Sequence, residues 1–268
     1  MTGAGAACYR WGMKSGGLEA KLRPYETASD RCVPPAVYMV ARLDGRGFGK
    51  LTRIQRDEIV KPFDVRVRDA MVATCEHLMQ GGFRVVYGYT QSDEISLLFH
   101  LGERSFGRKL RKYLSVLAGE ASGKCSVLVG EVVAFDCRIA ELPNAGLVVE
   151  YFRWRQDDAA RNCLAAHCAA ALRGEGLAAE EVARRLGGMA IGERHELLYR
   201  HGANFNELPG WQRRGVGLRW DTYVQPGSAA PGRRIAVELE LAMKDAYDEF
   251  VRGLVALAGD DQAGEEPR

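Results

Sequence analysis

Two apolar runs, FRVVYGY (83–89) and ISLLF (95–99), flank the segment TQSDE, and no other stretch limits the possible folds as tightly. Thr, Gln, Ser and Asp favour tight turns, and the flanking runs are rich in β-branched and aromatic residues, so the segment predicts a β-hairpin. The pattern extends on both sides. AVYMVARLDG (36–45) reads as a buried strand that stops at Asp44-Gly45. Pro62 opens a helix whose apolar face carries Val67, Met71, Cys75 and Leu78, with Gly81-Gly82 at its end. Leu110, Leu114, Leu117 and Ala121 mark a second helix over about 106–121, and EVVAFD (131–136) a fourth strand. The order β-α-β-β-α-β predicts an α+β, palm-like antiparallel sheet with helices packed on it.

Connection rules then fix the geometry. A crossover helix makes the first two strands parallel, and the hairpin makes the third antiparallel to both. With the third strand between the first two, Asp44 and Asp93 arrive at one edge of the sheet. The rest of the chain reads as helical: 151–176 as a long helix, then 177–186 and 193–200, followed by closing strands near 216–220 and 234–239. Residues 18–252 thus form a single unit, with a core over about 36–136, a helical part over about 140–220 and closing strands over 216–240. The Gly- and Ala-rich residues 1–17 and the polar tail 259–268 are expected to lack structure, with Met13 as an alternative start.

Composition excludes more than it selects. The 268 residues are 47% hydrophobic and 27% charged with a formal net charge of +2, so bulk charge does not announce a nucleic-acid binder. No apolar run reaches the eighteen or so residues of a membrane span, and the N-terminus lacks a signal-peptide core. Seven scattered cysteines predict reduced thiols in a cytoplasm. Cys163, His167 and Cys168 match no zinc spacing, and HELLYRH (195–201) has Tyr199 where a zinc-protease helix needs its second His. DGRGFGKLT (44–52) fails the phosphate-loop pattern at Asp44 and Leu51, and its RGFG follows the first strand, whereas an RNA-binding RRM carries that signature on its third.

Two aspartates converging from adjacent strands repel unless a cation lies between them. Mg²⁺ takes one or two carboxylates plus substrate phosphates, and the Gly45 carbonyl offers a further oxygen. Phosphates need cations. Arg42 shares a strand face with Asp44, and Arg108, Lys109 and Lys112 open the second helix, where cationic residues oppose the helix dipole.

The segments VARLDGRGFGKLT, KPFD, YGYTQSDEISLLF, FGRKLRKY, FDCR, YFRWRQDDAARN and HELLYRHGANFNELPGWQRRGVGL occur in an order that closely resembles tRNA-His guanylyltransferase. The bacterial guanylyltransferase-like proteins that act as 3′–5′ polymerases are nearer still. The resemblance runs from about Leu18 to Trp220. It implies a 5′ end of tRNA activated with ATP, or carrying a triphosphate, and attacked by the 3′-hydroxyl of GTP or another nucleoside triphosphate. It assigns Asp44, Gly45 and Asp93 to two Mg²⁺ ions, with Glu94 in support. Nucleotide contacts fall on Arg42, Gly45, Arg46, Gly47, Phe48, Lys50, Ser92, Arg108, Lys109 and Lys112. Activation or tRNA contacts fall on Lys61, Arg155, Asn162, Arg194, Glu196 and Asn204. It further implies a homo-oligomer, dimer or tetramer.

The chain departs from the tRNA-His enzymes at 160–163. There Ala160, Arg161, Asn162 and Cys163 stand for His-Ile-Asn-Asn, and Arg194 replaces a Lys. These changes favour the repair-type relatives, which restore missing 5′ nucleotides against a template. Rival readings are a nucleotidyl cyclase, which needs no helical second half, and a non-catalytic RNA-binding module, whose binding survives loss of both aspartates.

Overall fold

The computed structural model describes residues 17–48, 62–223 and 232–259. A short helix, α1 (Leu18–Glu26), leads to β1 (Tyr38–Arg46), α2 (Val65–Gln80), β2 (Val85–Gln91), β3 (Glu94–Phe99), α3 (Leu110–Val129) and β4 (Ala134–Leu142). Three helices, α4 (Ala145–Gly174), α5 (Ala179–Gly187) and α6 (Ile191–Arg200), build the next layer. The short α7 (Gly210–Arg214) precedes β5 (Val216–Tyr223), β6 (Gly232–Glu238) and α8 (Asp245–Gly259). The six strands form one antiparallel sheet in the order β4-β1-β3-β2-β5-β6. The third strand lies between the first two, as the connection rules require.

Strand alternation divides the core. On β1, Met39, Ala41 and Leu43 face α2 and α3 together with Ile95, Leu97 and Phe99 of β3. Val40 and Leu98 face the opposite way, against Val148, Phe152, Tyr247 and Val251 of α4 and α8. The sheet is therefore sandwiched between two helical layers. A third cluster joins the far half of α4 to α5 and α6 through Leu164, Cys168, Leu172, Val182, Leu186 and Leu198.

Local chemistry sets the helix limits. Asp64 caps α2 by accepting from the Arg66 amide at 2.8 Å, and Asn144 caps α4 by accepting from Leu147 at 3.0 Å. That cap starts α4 six residues before the predicted helix over 151–176. The second predicted helix needs the opposite correction. Phe106, Gly107 and Arg108 have φ of 53°, 62° and 58°. Left-handed residues cannot join a right-handed helix, so α3 begins at Leu110 and runs on to Val129, where Gly130 at φ 72° ends it. The fourth strand likewise lies later than predicted, over 134–142. Most of the termini expected to be unstructured, and residues 49–61 with Lys50 and Lys61, lie outside the described residues.

Candidate active site

The cross-strand register builds the site row by row. At the rim, Gln91 of β2 pairs with Glu94 of β3, Glu94 with Asp44 of β1, and Asp44 with Asp136 of β4. Directly opposed residues share a face, so these side chains project toward α4. In the same way Tyr89, Ser96, Arg42 and Arg138 form a second row behind them. A basic pair thus backs an acidic rim.

Asp93 enters from the hairpin turn. Ser92 holds the turn with a left-handed φ of 56°, and the Asp93 carbonyl accepts the Gly45 amide at 2.8 Å. Gly45 has to be glycine. A Cβ there would lie 2.5 Å from the Phe48 ring and 2.9 Å from the Asp93 Cβ. Gly47 turns the chain at φ +89°, and Phe48 is buried against Phe135, ring centroids 5.6 Å apart. Arg46 is exposed at the end of β1.

Electrostatics separates the three carboxylates. Glu94 is enclosed by cations: Arg42 Nε lies 2.8 Å from Oε2, and Arg155 Nη1 donates to both carboxylate oxygens at 3.0 and 3.1 Å. Burial pushes its pKa up, against the pull of Arg155 and Arg42. Among the described residues, the cations paired with Asp44 are Arg42 at 3.8 Å and Arg138 at 3.9 Å. Asp93 has no basic partner among the described residues, and burial raises its pKa, with a further push from Asp44. A half-buried carboxylate beside a second one, with no cation against it among the described residues, suits a divalent ion. No group of three His, Cys, Asp or Glu side chains gathers for a metal among the described residues.

Arg42, Asp44, Ser92, Asp93, Glu94, Arg155 and Asn162 all line one cleft of about 350 Å³, the small end of the range for ligand sites. Two donors around it, Gln91 Nε2 and Arg155 Nε, are buried without an acceptor among the described residues. Such groups call for a ligand rich in acceptors. A larger groove of about 610 Å³ lies at the other end of β1, beside Tyr38, Val149 and Val255, with Arg252 as its one charged lining residue. The charged chemistry is in the smaller cleft.

Other expected residues fall elsewhere. The start of α3 sits at the end of the sheet opposite Asp44, because β3 runs from Glu94 at the rim to Phe99 at the far end. There Arg108 is buried and donates to the carbonyls of Val33, Leu101, Glu103 and Val37. Lys109 pairs with Asp30 at 3.6 Å, and Lys112 lies over the Phe106 ring at 5.7 Å. None of these three cations lines the cleft that holds Asp44. Arg194 bonds the Leu186 carbonyl, Glu196 pairs with Arg200, and Asn204 caps the turn 205–207, all in the helical part. Ala160 and Cys163 are absent from the cleft lining, and Cys163 is buried. Sequence reasoning missed Phe63, Gln91, Asp158 and Arg138. Gln91 and Arg138 could have been found from strand period and register.

Comparisons with known proteins agree with this arrangement. The family model described as tRNAHis guanylyltransferase matches residues 19–143. A probable tRNA(His) guanylyltransferase of Drosophila melanogaster is 29% identical over 198 residues, covering 70% of this chain and 68% of that one. Two solved structures of a bacterial tRNA(His) guanylyltransferase (Thg1)-like protein also match. The complex with ATP is 28% identical with a TM-score of 0.71, covering 89% of this chain and 99% of that one. The complex with GTP is 27% identical with a TM-score of 0.68, covering 89% and 98%. In sequence over residues 19–143, and in fold over most of its length, the chain is similar to nucleotidyltransferases of the tRNA(His) guanylyltransferase type.

Proposed function

We propose that the protein adds nucleotides to the 5′ end of tRNA in the 3′–5′ direction, restoring a missing 5′ nucleotide against the opposite strand as template. The observation that carries this reading is the meeting of Asp44 and Asp93 in one cleft, which is edged by donors without a partner among the described residues. The relatives' names and the neighbours' bound GTP and ATP supply the substrate classes. A 5′-monophosphate takes AMP from ATP with release of pyrophosphate, or a 5′-triphosphate serves directly. The 3′-hydroxyl of the incoming nucleoside triphosphate then attacks the 5′ phosphorus. A phosphodiester forms, AMP or pyrophosphate leaves, and the hydroxyl proton passes to solvent.

Asp44, Asp93 and the Gly45 carbonyl hold two Mg²⁺ ions in this reading; when bound, the metal activates the attacking hydroxyl and offsets charge on the leaving phosphate. Glu94 fixes Arg42 and Arg155 in place beside the cleft, and the buried Arg155 Nε and Gln91 amide, without a partner among the described residues, serve a ligand's oxygens in this reading. The helical part, carrying Arg194, Glu196 and Asn204, contacts the tRNA. Free thiols among the described residues suit a reducing cytoplasm, and the working form is a homo-oligomer.

Repair is favoured over untemplated guanosine addition because Ala160 and Cys163 stand on α4, next to the cleft residues Ala159 and Asn162, where the tRNA-His enzymes carry His and a second Asn. With fewer groups to hold an unpaired end, Watson–Crick pairing supplies the alignment that catalysis needs. Competition between a tRNA lacking its first 5′ nucleotide and an intact tRNA-His ending opposite an unpairable base tests this. Faster extension of the intact tRNA-His would overturn the repair reading and leave 3′–5′ addition standing.

A further inference from the structure

The cleft lining has two unlike parts. Besides the charged rim, the lining includes an uncharged set, Pro62 and Phe63 with Ala159, Asn162 and Ala166 of α4. Positions 159, 162 and 166 are three and four residues apart, so they share one face of the helix, and two of the three are small. The Phe63 ring is fixed from behind. His167 stacks on it at 5.6 Å between centroids with planes 29° apart, and Trp211 meets it edge-on at 6.0 Å. These supports are themselves held, His167 by Gln212 at 2.9 Å and Trp211 by the Arg68 guanidinium at 5.0 Å. An aromatic ring ordered before binding loses little freedom on binding.

A nucleoside triphosphate has the same asymmetry, with concentrated charge at one end and a flat base with apolar faces at the other. With the triphosphate drawn to Arg42 and the carboxylate rim, the base falls to Phe63 and its uncharged neighbours. We infer that Phe63 is the stacking platform for the base of the incoming nucleoside triphosphate, and that it makes binding indifferent to which base arrives. The inference rests on the nucleotide-addition reading above. Stacking on an aromatic ring tolerates any base, because every base has a π-face. Asn162 beside it keeps that tolerance, since a carboxamide offers both donors and an acceptor. Base choice is then left to pairing with the template.

The test uses the full-length protein, with Phe63→Leu removing the π-face at little change in bulk and Phe63→Trp enlarging it. Equilibrium binding is measured for GTP, ATP, CTP, UTP, inorganic tripolyphosphate and 5′-truncated tRNA. Phe63→Leu is expected to weaken all four nucleotides by roughly tenfold. It should leave tripolyphosphate and tRNA unchanged, and Phe63→Trp should keep nucleotide affinity. Unchanged nucleotide binding by Phe63→Leu would overturn the inference. So would an equal loss for tripolyphosphate, a loss confined to one base, or a loss confined to tRNA. Failure of the wild-type protein to extend truncated tRNA would instead overturn the repair reading, and the binding comparison would still decide the role of Phe63.

Discussion

Asp93 shows how a residue that is poor for stability can be kept for chemistry. Its carboxylate is raised in pKa by burial and by Asp44, so the folded chain gains nothing from its charge. Asp93→Asn is therefore expected to leave thermal stability equal or slightly higher while abolishing nucleotide addition, and Asp44→Asn to abolish addition as well. Near-normal turnover by either variant in Mg²⁺ would sink the two-carboxylate site; circular dichroism melts would check the fold. Gly45 makes a steric demand on the same atoms. Gly45→Ala forces the new methyl into the Phe48 ring and the Asp93 Cβ. The expected outcome is a loss of about 1–3 kcal/mol in denaturant unfolding, together with a displaced Asp93 and little residual addition.

At the scale of elements, the segment between β3 and α3 decides whether basic residues near 104–112 serve the reaction or the fold. Arg108 supplies donors to four carbonyls from two separate segments of the chain, 33–37 and 101–103. Arg108→Ala should cost at least about 2 kcal/mol, because it strands buried acceptors. Lys112→Ala, over an exposed ring at the far end of the sheet, should leave both stability and the KM for nucleotides unchanged. A raised nucleotide KM for Lys112→Ala would restore the triphosphate role that the motif suggests. Glu103 in the same segment is fully buried. Burial alone would raise its pKa, but hydrogen bonds from Ser105, the Arg84 amide and Tyr113 outweigh it, and the net shift is downward. A depressed carboxylate contributes stability above the ordinary glutamate range and loses it as pH falls through the folded value. Wild-type stability should therefore fall in mild acid more steeply than that of Glu103→Gln, read from melting temperature against pH. The same segment marks a limit of reading the chain by pattern. Leu110, Leu114, Leu117 and Ala121 reveal a helix, but apolar spacing says nothing about the left-handed residues before it. The sheet order was legible, because alternation and connection rules leave one arrangement for a β-α-β-β-α-β run. The final helix was legible too, with Tyr247, Val251, Leu254 and Val255 at helical spacing, although the sequence reading passed over it. Which arginine meets which carboxylate depends on side-chain directions that no one-dimensional pattern carries.

For the whole molecule, α4 is the element that makes one object of two parts. Its first half lies on the sheet through Val148 and Phe152, and its second half packs against α5 and α6 through Leu164, Cys168 and Leu172. Arg155 sits between these halves, its side chain only 3% exposed, bound to Glu94 and stacked 3.6 Å from the Trp154 ring. The Arg155–Glu94 pair thus ties the catalytic rim to the helical part. Removing one partner of a buried ion pair leaves a charge without compensation, at a typical cost of about 3–5 kcal/mol. Arg155→Met leaves the half-buried Glu94 with Arg42 as its one remaining cation among the described residues and should cost a part of that amount. Glu94→Gln should lose less, because Asp158 remains 3.4 Å from Arg155. Removing both charges in Glu94→Gln/Arg155→Met should recover much of the stability lost in Arg155→Met, since no uncompensated carboxylate remains between the layers. It should not recover nucleotide addition, because the donor facing the cleft has gone with the guanidinium. A double-mutant cycle read by denaturant unfolding, run beside the addition assay, separates the two effects. If the double variant is as unstable as the sum of the single ones, the pair does not couple sheet and helices. If it regains activity along with stability, Arg155 serves only to neutralise Glu94, and contact with the substrate must lie with Arg42.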